Sequence, residues 1–277
     1  MKHQGDGSTL EWLLGCRGLL QILFFLVITS LAVNSRAQNL VDPGPPESLD
    51  AHDLIAGVID NTRGLSSYAE MTMTIHRPDW ERSSSLQAWT RGREDALIRF
   101  TAPARDAGNA TLKDHEKMWT YTPKLNRVIR LPFSLMSQGW AGSDFSYNDL
   151  SRTDALLHEY DLKLLDVNES DEQIVYTIEA IPHETAAVVW GKELIVFRSD
   201  NVLLEQVYFD QDMEPLKKLI GSDIQAMGGR VFATRMRMIK LNEPDNWTEL
   251  NYTEAEFDIE LDDGLFTVFS LKTGRTR

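Results

Sequence analysis

Apolar and polar positions alternate with period two over most of this chain. Ala69, Met71, Met73 and Ile75 alternate with Glu70, Thr72, Thr74 and His76 until Pro78 interrupts the run, the mark of a half-buried strand. Strands are predicted next at 82–91, which carries Trp89, at 94–101, where Ala96, Ile98 and Phe100 share a face, and at 109–113. Residues 118–121 and 127–130 flank a turn whose geometry comes from Pro123 and Asn126. Beyond a long interruption, 173–181, 193–198, 203–209, 216–224, 230–240 and 247–258 read as strands. Turn signals separate them, among them Pro182, Asn201, Pro215 and Pro244, and Gly228-Gly229 predicts a hairpin. Residues 155–167 fit helix or strand by pattern alone; strand is favoured for the later half, which runs into the turn cluster 168–171. A closing segment, 260–271, is anchored by Leu265 and Phe266.

The period changes in two places. Near the start, Leu54, Ile55, Val58 and Ile59 fall on one face of a helix capped by Ser48 or Asp50 and ended by Gly64. In mid-chain, after Pro132 stops a strand, 133–136 is apolar, Gly139 and Gly142 bracket Trp140, and 143–150 is polar with aromatic teeth. A long excursion between strands of a compact domain reads as a lid or binding loop. About eleven antiparallel strands, one early helix and one mid-chain segment predict a mainly β fold. The expected form is a large curved antiparallel sheet, an incomplete barrel, with the helix and a helical lid over its concave face and the other face wet.

The N-terminal region is set apart. Residues 19–33 are continuously apolar, and Ser35-Arg36-Ala37 places small residues where a signal peptidase reads them. The expectation is a signal peptide over 1–37 cleaved before Gln38, then a loose lead over 38–47 and a single domain over 48–277. Retention of the segment as an anchor is the alternative. Leu13-Leu14-Gly15-Cys16 has the look of a lipoprotein processing box, but its cysteine precedes the apolar run instead of following it. Removing 1–37 takes away Lys2, Arg17, Arg36, Asp6, Glu11 and the only cysteine, leaving 25 basic and 40 acidic side chains and a net charge of −15. Such a surface repels polyphosphate, so nucleic acid is not an expected partner. Four Asn-x-Ser/Thr sites, at Asn109, Asn168, Asn246 and Asn251, would suit a eukaryotic secretory route, but an exported domain without disulfides fits the bacterial envelope better.

Catalytic constellations are hard to find. Gly142-Ser143-Asp144 lacks the glycine pattern of a nucleophile elbow, and thiol chemistry has no cysteine to use. His52, His76, His115, His158 and His183 have no metal-ligand spacing, so neither metal nor cofactor is expected. Soft apolar side chains on alternating strand positions are what the chain does supply. Met71, Met73, Ile75, Ile98, Phe100, Trp119, Tyr121, Ile129, Leu131, Met236 and Met238 are the candidate lining of a hydrophobic groove, since thioethers repack around variable cargo at little cost. Phe133, Leu135, Met136, Trp140, Phe145 and Tyr147 are the candidate lid.

Residues 118–128, MWTYTPKLNRV, resemble the W-x-Y-x-P-x-L-x-x-V strand pair of the periplasmic lipoprotein carrier family. The stretch LPFSLMSQGWAGSDFSYNDL is similar to the S-x-M-G-S-D-F-T-x-x-D-L signature of its outer-membrane lipoprotein-sorting group. This resemblance implies a periplasmic, non-enzymatic carrier: an unclosed antiparallel barrel whose concave apolar face, covered by helices, shelters acyl chains of a lipoprotein or lipid. It implies an arginine just after the second strand that pins the lid, for which Arg91 and Arg93 are both candidates. It also suggests association with a resistance-nodulation-type or ABC exporter of the inner membrane, and a monomer is expected. The rival reading is an adaptor that docks on such an exporter and carries nothing, with Trp140, Phe145 and Tyr147 turned outward. An envelope-lipid hydrolase is a third reading, and it lacks a nucleophile.

Overall fold

The computed structural model describes residues 49–151, 153–170, 173–186 and 188–274. The expected signal peptide and lead lie outside the described residues. The described residues form one compact unit.

Asp50 caps helix α1 (Ala51–Arg63) by accepting from the His52 amide at 2.8 Å, and Gly64, at φ 61°, ends it. The chain then forms β1 (Ser66–Arg77), β2 (Trp80–Arg91), β3 (Asp95–Ala102), β4 (Ala110–Asp114), β5 (Lys117–Thr122) and β6 (Arg127–Arg130). Pro123–Leu125 makes a 3₁₀ turn between the last two, with Asn126 left-handed at φ 45°. After the mid-chain segment come β7 (Tyr160–Ser170), β8 (Gln173–Pro182), β9 (Lys192–Arg198), β10 (Leu203–Phe209), β11 (Pro215–Met227), β12 (Arg230–Lys240) and β13 (Glu243–Phe257). Gly228 and Gly229, both at positive φ, turn the β11–β12 hairpin as predicted. Residues 155–167 divide: 3₁₀ helix over Thr153–Leu157, then strand.

Among the described residues the thirteen strands form one antiparallel sheet in the order β6-β5-β4-β3-β2-β1-β13-β12-β11-β10-β9-β8-β7. Every neighbour is a sequence neighbour except one pair. That pair is β1 and β13, which join the two halves along a ladder from Ser67–Phe257 to His76–Trp247. The edges, β6 and β7, do not pair, so the barrel stays open. They are consecutive in sequence, and 131–159 connects them. The sheet bends. Lys113 of β4 and Lys217 of β11 reach Asp154 and Asp149 of that connection.

Both faces are covered in part. On the concave face, α1 lays Ile55, Val58 and Ile59 on Tyr176, Ile178, Ile195 and Phe197 of β8 and β9. The convex face was expected to be wet, but over β2 to β5 it is not. Leu265 and Phe266, on a 3₁₀ turn, and Leu271 of α3 (Val268–Thr273) pack there on Trp89, Leu97 and Leu112. β3 and β4 are accordingly buried on both sides.

Candidate functional site: the lid and the apolar cluster beneath it

The strands bring Met71, Met73, Ile75, Phe100 and Met238 into one buried cluster on the concave face, with Ile98 and Met236 packed at its margin. Cross-strand register explains the gathering. Met71, Met73 and Ile75 lie opposite Tyr252, Leu250 and Thr248 of β13, and Leu250 lies opposite Met236 of β12. This face is closed by the segment 131–159, made of 3₁₀ turns at Phe133–Leu135 and Trp140–Gly142, the short helix α2 (Tyr147–Ser151) and the 3₁₀ turn already described. Trp140 and Phe145, only 2% and 5% exposed, enter the cluster. The Trp140 ring meets Phe100 at 5.5 Å and donates its Nε1–H to Thr111 Oγ1 at 3.0 Å. The outward-facing aromatic patch expected of an adaptor is therefore not formed by these two rings, and Tyr147 is half-buried beside Leu150.

Other candidates lie elsewhere. Trp119 and Tyr121 are on the convex face with Leu112 and Leu265, because Trp119 pairs with Leu112, which pairs with Leu97, all of one parity. Ile129 is exposed on the β6 edge. Leu131 and Met136, joined by Leu135, pack on Met118 in a small separate cluster. Phe133 is 52% exposed and closes nothing.

Neither candidate arginine pins the lid. Arg91, on the parity of Trp89, binds Asp95 at 2.7 Å and Asp263 at 2.9 Å and stacks on Phe266, so it secures the C-terminal segment. Arg93, in the β2–β3 turn, chelates Asp60 at 2.8 and 2.6 Å and secures α1. The lid is held by ion pairs that the sequence does not announce. Arg77, at the end of β1, grips Asp144 in a two-bond fork of 2.9 and 3.0 Å. The Asp144 side chain is wholly buried and also accepts from Thr248 Oγ1 at 2.7 Å. Arg82 donates to the Ala141 carbonyl at 2.7 Å. Lys217 binds Asp149 and lies over the rings of Trp190 and Tyr208, while Lys113, its pKa lowered by burial, binds Asp154 at 3.1 Å.

Beneath the lid are two cavities. One, of about 150 Å³, lies under α1 and is lined by Ile55, Val58, Ile59, Ile195, Phe232 and Met236 among others. Its neighbour, of about 190 Å³, shares Leu156, Leu203 and Gln206 with it and is bounded by Phe145, Asn148, Asp149, Trp190, Glu193 and Tyr208. Burial pushes the Glu193 carboxyl up to about 7, although hydrogen bonds from Tyr160 and Gln206 pull the other way. A larger surface cleft, about 410 Å³, lies at the β6 edge among His115, Glu116, Lys117 and Arg130 and is not part of the apolar cluster. His115 there has carboxylate company that the spacing of the histidines does not show. Asp95, Asp114 and His115 come within ligating reach of one another, and flanking carboxylates raise the His115 pKa.

A family model described as "Uncharacterized protein" matches residues 92–273. The chain belongs to that family. No curated protein matches it. Among solved structures, a DUF1329 family protein from Desulfovibrio piger is similar at 24% identity and TM-score 0.72, covering 80% of this chain and 97% of that one. An outer membrane lipoprotein-sorting protein domain from Vibrio parahaemolyticus follows at 23% and 0.69, covering 80% and 100%. A LolA superfamily protein from Nitrosomonas europaea follows at 20% and 0.67, covering 79% and 98%. These likenesses establish a LolA-type fold, the unclosed barrel inferred from the strand pattern. No described helix is long and apolar enough to cross a membrane.

Proposed function

We propose that this protein is a periplasmic carrier that shelters acyl chains of a lipoprotein or lipid on the concave face of its open barrel and acts in outer-membrane lipoprotein sorting or lipid transport. One observation carries the reading: the connection between the two edge strands inserts Trp140 and Phe145 into the apolar cluster of Met71, Met73, Ile75, Phe100 and Met238. The lid's own rings occupy the place that cargo would take. The cavities left around them, of about 150 and 190 Å³, fall short of the roughly 300–1,000 Å³ of an ordinary ligand pocket. The described conformation is thus the shuttered one, and loading requires the lid to withdraw. Each methylene buried is worth about 0.8 kcal/mol, so a long chain offsets the loss of two rings' contacts. The lipoprotein-sorting and LolA names of the similar structures support the same reading. The acidic surface disfavours resting on anionic headgroups, which suits a shuttle. An inner-membrane exporter as cargo donor belongs to this proposal, and the exposed Leu125, Ile129 and Phe133 along the β6 edge offer it an apolar contact.

A fluorescent acyl probe tests the carrier. Wild type should take it up, and Trp140→Ala, which vacates the groove, should take up several-fold more despite lower stability. No uptake by either protein would count decisively against a cargo site.

A further inference from the structure

We propose that the corner of the sheet where β3 begins and β4 ends binds one zinc ion through Asp95, Asp114 and His115. The site lies outside the apolar cluster and is independent of the carrier reading. Asp95 and Asp114 are direct partners in the β3–β4 ladder, and like charges so placed repel. His115 follows in the β4–β5 turn, and a ligating atom from each of the three comes within 4.8 Å of the others. His115 Nδ1 stands 2.9 Å from Asp114 Oδ1 and 3.7 Å from Asp95 Oδ1. Donors about 2.0–2.2 Å from one zinc ion stand roughly 3.0–3.6 Å from one another, so the ion fits among them with small side-chain adjustments.

Two observations separate this arrangement from an ordinary ion-pair cluster. The first is Asp95. Its side chain is only 7% exposed, and among the described residues its Oδ1 has no hydrogen-bond partner, which is uncommon for a buried carboxylate oxygen. Arg91 takes the other oxygen, Oδ2, donating from Nε at 2.9 Å and Nη2 at 2.7 Å. A proton on His115 Nδ1 serves Asp114 at 2.9 Å and leaves Asp95 beyond hydrogen-bond reach. A metal ion engages both oxygens and the ring at once. The second observation is Glu94, whose Oε2 is 3.0 Å from His115 Nε2. An imidazole that ligates through one nitrogen commonly gives the other N–H to a carboxylate, which fixes its tautomer. That leaves the Nδ1 lone pair beside Asp95 and Asp114. An imidazole among the donors favours zinc over calcium and magnesium, which take oxygen ligands. Asp114 and His115 are open to solvent, which gives the ion its entry.

Calorimetric titration of the full chain with zinc tests this, on protein purified without a histidine tag and stripped by a chelator. Wild type should bind one equivalent in the micromolar range or tighter, and calcium or magnesium at least about a hundredfold more weakly. His115 sits at φ 56°, a conformation asparagine tolerates, so His115→Asn removes the ring and keeps the turn. His115→Asn and Asp114→Asn should each weaken zinc by at least the roughly tenfold that even an outer partner of a metal site is worth. His183→Asn removes a ring paired with one carboxylate, Asp161 at 3.3 Å, and should leave zinc binding unchanged. The site is overturned if wild type binds no zinc, if calcium binds as tightly, or if His115→Asn or Asp114→Asn keeps wild-type affinity. A loss with His183→Asn equal to that with His115→Asn, the mark of scattered surface binding, overturns it too. None of these results bears on acyl uptake, so the carrier reading stands or falls separately.

Discussion

Glu193 shows most sharply what one side chain contributes here. Its carboxyl is buried between Tyr160 and Gln206, 2.8 Å from the tyrosine hydroxyl, with its pKa raised from the ordinary 4.5 to about 7. Between those values the folded protein keeps a proton that the unfolded chain has released. Glu193 therefore stabilises the fold fully below about pH 4.5, progressively less as pH rises toward 7, and no further change comes above that. The loss is of order 3 kcal/mol. Glu193→Gln keeps the shape and removes the titration; Gln206 can present its amide oxygen to the new amide nitrogen. Urea unfolding should give nearly equal stabilities at pH 4.5 and a more stable variant at pH 8. Identical pH dependence in both proteins would show that the carboxyl is not held in its protonated form. Nothing around position 193 in the sequence foretells this. Alternation along β9 sets Glu193 on the buried face with Ile195 and Phe197, opposite Leu194, and the groups that line the cavity beside it, Asp149, Tyr160 and Tyr208, arrive from distant segments.

Elements were more legible than their partners. Period-two alternation identified the strands, and the helical spacing of Ile55, Val58 and Ile59 identified the face of α1 that is buried. The Gly-Ser-Asp-Phe stretch marked the lid, but what holds it did not show, because Arg77 and Asp144 lie 67 residues apart and meet only where the connection between the edge strands crosses the concave face. Arg91 and Arg93 stood nearer the expected place, yet parity turns one to the convex face and the other reaches α1. The consequence for the lid is direct. Arg77→Ala leaves the Asp144 carboxylate wholly buried with Thr248 as its close partner and Lys240 only at 3.9 Å. Removing one member of such a pair costs about 3–5 kcal/mol. Denaturant titration should show that loss, and Arg77→Lys, which restores a single bond and the charge, should recover part of it. A loss under about 1 kcal/mol would mean that the lid does not depend on this clamp.

At the scale of the molecule, the sheet separates two jobs that the sequence could not tell apart. Trp119 and Tyr121 looked as suitable for a groove as Met73, since all are apolar positions in alternating strands. Which face each takes depends on the register that sets Trp119 against Leu112 and Leu112 against Leu97, and a slip of one residue would have exchanged them. The closing segment was likewise recognised by Leu265 and Phe266, but not as the cover of the convex face. That cover makes the two faces separable by experiment. Leu271 is fully buried on the convex side against the cluster of Trp89, Leu97 and Leu112, and the carbonyls of Ser270 and Leu271 accept from the buried Arg99 at 3.0 and 3.3 Å. Leu271→Ala should cost about 2–5 kcal/mol of stability. Trp140→Ala should also destabilise the fold, yet it opens the concave face where Leu271→Ala does not. If acyl uptake belongs to that face, the two variants lose stability together and diverge in binding: the convex variant takes up probe as wild type does, the concave one takes up more. Parallel changes in both would show that uptake follows general loosening of the barrel and not the withdrawal of two rings from a groove.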